Sequence, residues 1–149
     1  MNQGDVAPDF TLSDQDGQPR RLYDLLAAGP VVLFFYPQAH TTGCTKEACH
    51  FRDVAKEFND AGAQRVGISL DAVDKQQSFA TKNNLDYPLL SDADGAVARS
   101  FGVKRGLDLL KVKRSTFVIG TDHTIKAKIT SELNMNVHAD KALAALRQS

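Results

Sequence analysis

The strongest pattern in the chain is the unbroken apolar run "PVVLFFYP", residues 30–37, made of β-branched and aromatic residues between two prolines. A short run of this kind, closed at both ends by turn formers, predicts a strand buried on both faces. "AQRVGISL" (63–70) predicts a second buried strand. Between them, from Gly43 to about Phe58, the period changes. Ala48, Phe51, Arg52, Ala55 and Phe58 recur at spacings of three and four, the signature of a helix with one apolar stripe, and Gly62 follows as its terminator.

The remaining segments read in the same way. "FTLSDQDGQPRRL" (10–22) predicts two short strands around a turn at Asp16-Gly17, a strong hairpin dipeptide. "DKQQSFATKNN" predicts a polar helix anchored by Phe79, "YPLLSD" a short extended piece and "GAVARSFGV" a short helix. "STFVIGTDHTIKAKIT" predicts two strands joined near Gly120 to His123. The second alternates Ile125, Ala127 and Ile129 with polar residues, as a strand with one wet face does. "VHADKALAALRQS" closes the chain as an amphipathic helix. The order is hairpin, strand, helix, strand, helix, helix, hairpin, helix. It predicts an α/β fold, a mixed sheet with helices on both faces, whose first two long strands are joined by a right-handed crossover. At 149 residues one domain, 1–149, is expected, large enough for a core without disulfides or metals.

Charge removes several function classes. Eighteen basic and eighteen acidic side chains cancel, so no net field favours nucleic acid or an anionic membrane. The concentrated basic run "KVKR" reads as solvated at Lys111 and Lys113, with Arg114 considered below. No window approaches the roughly 18 apolar residues of a membrane span. "MNQGDVAPDF" has neither the positive nor the apolar region of a signal peptide, so a cytoplasmic protein is expected. Thiols there are normally kept reduced, and a close cysteine pair is more often catalytic or metal-binding than a permanent staple.

The two cysteines, Cys44 and Cys49, lie in "PQAHTTGCTKEACH". Cys44 falls where the buried strand has ended and the helix begins. Backbone N–H groups there lack intrahelical partners and the helix dipole is positive, so a thiol at such a place is acidified towards its reactive form. Along a helix, five residues rise about 7.5 Å and turn a net angle of about 140°, placing the two Cα atoms roughly 8–9 Å apart. A disulfide needs less than about 7 Å. The pair therefore cannot join while the helix is intact, which suits a transient bond better than a structural one. Two other readings stand beside this. Cys49, next to Ala48 and Phe51, could be a small buried hydrophobe. His40, Cys44, Cys49 and His50 are four candidate zinc ligands, although structural zinc sites pair ligands two to four residues apart on turns. His123 and His138 are expected at the surface, without partners.

"FFYPQAHTTGCTKEACHFRD" resembles the active-site segment of the peroxiredoxins: Pro, three residues, Thr or Ser, two residues, Cys, here Pro37, Thr41 and Cys44. The further cysteine in "GCTKEAC" is similar to the bacterioferritin-comigratory, or peroxiredoxin Q, class. "VAPDFTL", "SFATKNNLDYPLLSD" and "KRSTFVIG" extend the resemblance over nearly the whole chain. It implies a thioredoxin-like fold with an added N-terminal β-hairpin. It also implies thiol-dependent reduction of hydrogen peroxide and organic hydroperoxides. By that resemblance Cys44 is the peroxidatic nucleophile and Cys49 the resolving cysteine. Thr41 bonds the peroxide and the thiolate, Pro37 shields the pocket, Arg114 is the catalytic arginine and Glu47 helps to orient it. Cys44 sulfenic acid then condenses with Cys49, and thioredoxin or a glutaredoxin-like dithiol resets the disulfide. No metal, flavin or haem is implied.

Two positions depart from the family pattern. Relatives commonly have proline where this chain has Thr42, and Gly102 to Lys113 lacks the aromatic residues common there. A monomer is expected, since an intramolecular cysteine pair requires no partner. Two alternatives remain at this level. A thioredoxin-like disulfide oxidoreductase would usually carry C-x-x-C, and a proline where this chain has Ser115. A non-enzymatic redox sensor would oxidise at the slow rate of ordinary thiols.

Overall fold

The structure, a computed structural model, describes residues 1–104 and 112–148. Its elements in chain order are β1 (Thr11–Ser13), β2 (Pro19–Arg21), α1 (Leu22–Ala28), β3 (Val31–Phe35), α2 (Thr42–Asp53), α3 (Ala55–Asp60) and β4 (Gln64–Ser69). There follow α4 (Val73–Asn83), β5 (Leu89–Ser91), α5 (Ala96–Ser100), β6 (Ser115–Ile119), β7 (Ile125–Thr130) and α6 (Val137–Arg147). The strands form one mixed sheet in the order β2-β1-β5-β4-β3-β6-β7. β3 pairs parallel with β4 across the α2–α3 connection and antiparallel with β6.

β3 is central, and all five of its residues are buried. Because successive side chains point to opposite faces, it feeds two cores. Val32 and Phe34, with Tyr36 just beyond the strand, pack with Phe51, Phe58, Phe79 and Leu143 under α2, α3, α4 and α6. Val31, Leu33 and Phe35 pack with Leu22, Leu26, Phe101 and Phe117 under α1 and α5. The continuous apolar run of the sequence is this two-sided burial. Phe51 of α2 stacks on Phe34 with ring centroids 4.2 Å apart. Such a pair contributes about 0.5–1.5 kcal/mol beyond its buried area, and it ties the helix to the strand that precedes it.

Two features differ from the sequence reading. The helix expected from Gly43 to Phe58 begins at Thr42 and is interrupted at Val54, whose ψ of 26° breaks it into α2 and α3. The stripe survives the break because Val54 N–H still reaches the His50 carbonyl and Phe58 N–H the Val54 carbonyl. α1 was not anticipated. It begins directly at the end of β2 and buries Leu22 and Leu26, a stripe too short to stand out as periodic. The Asp16-Gly17 turn forms as expected, with Gly17 at φ +77°. Asp14 Oδ1 accepts from the N–H groups of Asp16 and Gln18.

Candidate active site

The site lies where β3 ends and α2 starts. Asp71, just beyond β4, holds the intervening loop. Its Oδ2 accepts the Ala39 N–H at 2.7 Å and the Ser69 hydroxyl at 2.7 Å. Pro37 is buried at the head of this loop, and His40 takes a positive φ of 66°. Thr41 is the N-cap of α2, and its carbonyl accepts the Thr45 N–H at 2.9 Å. No side chain caps the helix. The Thr41 hydroxyl instead donates to the Gln38 carbonyl at 2.8 Å. The first N–H groups of a twelve-residue helix thus remain open towards a negative charge at its N-terminus.

Cys44 is the third residue of that helix and is 2% exposed. Arg114, on the run into β6, donates from Nη2 to Cys44 Sγ at 3.1 Å and from Nη1 to Glu47 Oε1 at 2.7 Å. Gly43 lets the guanidinium come this close, since a Cβ there would stand 3.3 Å from Arg114 Nη2 and 3.5 Å from Met135 Sδ. Glu47 is fully buried, one turn from Cys44. Burial pushes its carboxyl up to about 7, with Arg114 drawing it down and Glu132 adding to the rise. Burial lowers the Arg114 value, but the charges of Glu47 and Cys44 outweigh it and the net shift is upward. The guanidinium stays charged between two groups that each favour a cation.

Cys44, Glu47, Ala48 and Phe51 form the buried face of α2, whereas Cys49 lies about 140° round the helix from Cys44. Cys49 is half-buried and its thiol faces Asn83 Oδ1, at 3.7 Å, at the end of α4. Both cysteines are free thiols on one continuous helix. The inert-core reading of Cys49 gives way to a thiol with a polar neighbour. The zinc reading fails on placement. His40 packs edge-on against Phe79, His50 pairs with Asp140 at 2.8 Å, and each cysteine faces a different partner.

The structure brings Cys44, Glu47 and Arg114 together and places Pro37 and Thr41 in the adjoining loop. Thr41 makes no hydrogen bond to Cys44, because its proton is committed to Gln38. Lys113 is exposed, as expected, while Lys111 lies outside the described residues, as does most of the stretch lacking aromatics. The surface expectation for two histidines is corrected. His123 is half-buried and stacks on Tyr23, with centroids 3.7 Å apart, and His138 is fully buried. His138 had a signal in the sequence: it falls four residues before Ala142 on the apolar stripe of α6. Asp71 had none, since its contact with Ala39 spans 32 positions.

Fold and site define a class, a thiol-dependent peroxidase built on a thioredoxin-like fold. Residues 3–128 match the AhpC/TSA family. The crystal structure of peroxidoxin BcpB from Mycobacterium tuberculosis superposes with a TM-score of 0.96 at 63% identity, covering 99% of this chain and 97% of that one. Peroxiredoxin Q of Xanthomonas campestris gives 0.85 at 33% identity over 93% and 90% of the two chains. The chloroplastic peroxiredoxin Q of Arabidopsis thaliana is 40% identical over 147 residues, 99% of this chain and 68% of its own. The chain belongs to the AhpC/TSA family of peroxiredoxins, in the company of the bacterioferritin-comigratory and peroxiredoxin Q proteins.

Proposed function

We propose that Cys44 is the peroxidatic nucleophile and Cys49 its resolving partner in an atypical two-cysteine cycle, run by a single-domain, monomeric, cytoplasmic enzyme. The observation that carries this reading is the buried Cys44 sulfur, 3.1 Å from Arg114 Nη2 at an uncapped helix N-terminus. At 2% exposure, the Cys44 sulfur is recessed from a partner as large as a protein disulfide while α2 is intact. That favours a peroxidase over a disulfide oxidoreductase acting on proteins.

The Cys44 thiolate attacks the terminal oxygen of ROOH, the O–O bond breaks, and RO⁻ leaves and takes a proton to become ROH. Negative charge develops on the leaving oxygen, and the preorganised guanidinium together with the α2 N–H groups stabilises it. Thr41 Oγ1 has lone pairs free to accept the peroxide O–H, its own proton being held by Gln38. Pro37 closes the loop side of the pocket, and Glu47 fixes Arg114. The Cys44 sulfenic acid and the Cys49 thiol then form a disulfide and release water. This step requires α2 to unwind, because the thiols point to different faces of an intact helix. A dithiol of the thioredoxin or glutaredoxin type reduces the disulfide to two thiols and becomes oxidised itself. Hydrogen peroxide and organic hydroperoxides are the proposed substrates. The Xanthomonas bacterioferritin comigratory protein is described as having alkyl peroxide reduction activity.

The test is peroxide consumption coupled to a thioredoxin system. Cys44→Ser is expected to abolish even one turnover. Cys49→Ser is expected to form the sulfenic acid once and then stall with thioredoxin. Full activity of Cys44→Ser would overturn the assignment.

A further inference from the structure

The C-terminal helix delivers a buried imidazole to the back of the Arg114–Glu47 pair. His138 of α6 is fully buried. Its Nε2 lies 2.9 Å from the Ser131 carbonyl, which can only accept, so Nε2 carries the proton. In the neutral ring Nδ1 is then an acceptor, and it takes the Thr116 hydroxyl proton at 2.8 Å. Glu47 Oε2 lies 3.6 Å from the same Nδ1 and is buried with no hydrogen-bond partner among the described residues. Thr116 engages the single Nδ1 lone pair, so Glu47 Oε2 is left 3.6 Å away without a donor among the described residues. A buried carboxylate oxygen without a donor is destabilising; a proton taken up by Glu47, or by His138 Nδ1 once the Thr116 hydroxyl turns away, relieves it as the two groups close to hydrogen-bond distance.

We propose that His138 is a positioning residue of the peroxidase site, forming with Glu47 a one-proton site whose occupancy sets how strongly Arg114 is held by Glu47 or released to Cys44. The proposal rests on the peroxidase reading above. The groups facing this site are Glu47 and, through Arg114, Cys44 from α2, Arg114 itself from the run into β6, and Glu132 from the loop after β7. The His50–Asp140 pair closes the outer edge of the same α2–α6 seam. Without the proton, the carboxylate competes with Cys44 for the guanidinium. With it, whether as neutral Glu47 or as an imidazolium–carboxylate pair, Glu47 releases part of its hold on Arg114, and the sulfur receives more of the positive charge. Burial holds His138 below its usual range, reinforced by Arg114 and opposed by the Ser131 carbonyl and Glu132, and it raises Glu47 to about 7. The proton is therefore exchanged near neutral pH, and the pair is a coupled site rather than two independent ones.

The experiment measures the second-order rate of first thiol loss with hydrogen peroxide in the full-length protein between pH 5 and 9. His138→Gln can keep a donor to Ser131 but removes the titrating nitrogen, so the near-neutral inflection is expected to move down by at least about half a pH unit. Thr116→Val removes the hydroxyl that favours the unprotonated Nδ1, so the inflection is expected to move up. A histidine with a purely structural role would change thermal stability and scale the rate while leaving the profile's shape intact. Profiles that superimpose after scaling overturn the proposal, and Thr116→Val decides it alone if His138→Gln does not fold. Wild type that fails to react with peroxide at any pH would overturn the peroxidase reading instead.

Discussion

Arg114→Ala tests the electrostatics of the site most directly. The guanidinium lies 3.1 Å from Cys44 Sγ. Two unit charges at that separation interact by about 5 kcal/mol at an effective dielectric of 20. Glu47, on the other arm of the fork, cancels part of this, and hydrogen bonds to charged groups are worth about 1.5–3 kcal/mol in practice. At about 1.4 kcal/mol per decade, the variant is expected to react with peroxide roughly 10- to 150-fold more slowly. The assay is rapid mixing with hydrogen peroxide, followed by acid quench and mass measurement of the Cys44 sulfenic acid before resolution. Removing Arg114 also leaves Glu47 buried and unpaired, which can cost about 3–5 kcal/mol in stability. Arg114→Lys and the double variant Arg114→Ala/Glu47→Gln separate the two effects. Lysine keeps the charge without the two-pronged fork and is expected to fall between wild type and alanine. A folded Arg114→Ala that oxidises within twofold of wild type would remove Arg114 from the mechanism.

Two further outcomes follow from contacts outside the thiol itself. The Tyr87 hydroxyl donates to the Ala48 carbonyl at 2.7 Å, clamping α2 between the two cysteines. Tyr87→Phe should lower the cost of unwinding by about 1 kcal/mol and speed sulfenic-to-disulfide conversion about 2- to 10-fold, read as the rate of second thiol loss; an unchanged rate would mean that this clamp is not part of the barrier. In the hairpin, burial raises the Asp14 carboxyl, but the Arg20 side chain and the N–H groups of Gln18 and Asp16 prevail and hold it below 3.8. Its contribution to stability is therefore present above about pH 4 and lost as pH falls through the depressed folded value. Asp14→Asn should be less stable than wild type at pH 7 by about 1–2 kcal/mol, with the gap narrowing in denaturant melts below pH 4; a gap that is constant with pH would contradict the assignment.

Local pattern carried far in this chain. The apolar run at 31–35 announced a strand buried on both faces, and Asp16-Gly17 announced its turn, because both depend on neighbours in sequence. The same locality explains the misses. α1 has two buried anchors, Leu22 and Leu26, too few to establish a period. The break at Val54 leaves the stripe of apolar positions in phase, so periodicity cannot reveal it.

At the site, the sequence by itself determined the setting of Cys44: a cysteine in the first turn of a helix after a buried strand, with the second cysteine held on another face by five residues of helical twist. The motif resemblance also pointed to Glu47 and Arg114. The tertiary structure decided what stands around them. Arg114 reaches Cys44 across 70 positions, Asp71 holds Ala39 across 32, and His138 meets Glu47 from the last helix. These contacts exist because β4 and β6 flank β3 and α6 packs on α2. Side-chain pairing over such separations follows from sheet order and helix packing, which no local period encodes. The apolar stripe of α6 could have signalled the burial of His138, but its meeting with Glu47 came only from the fold.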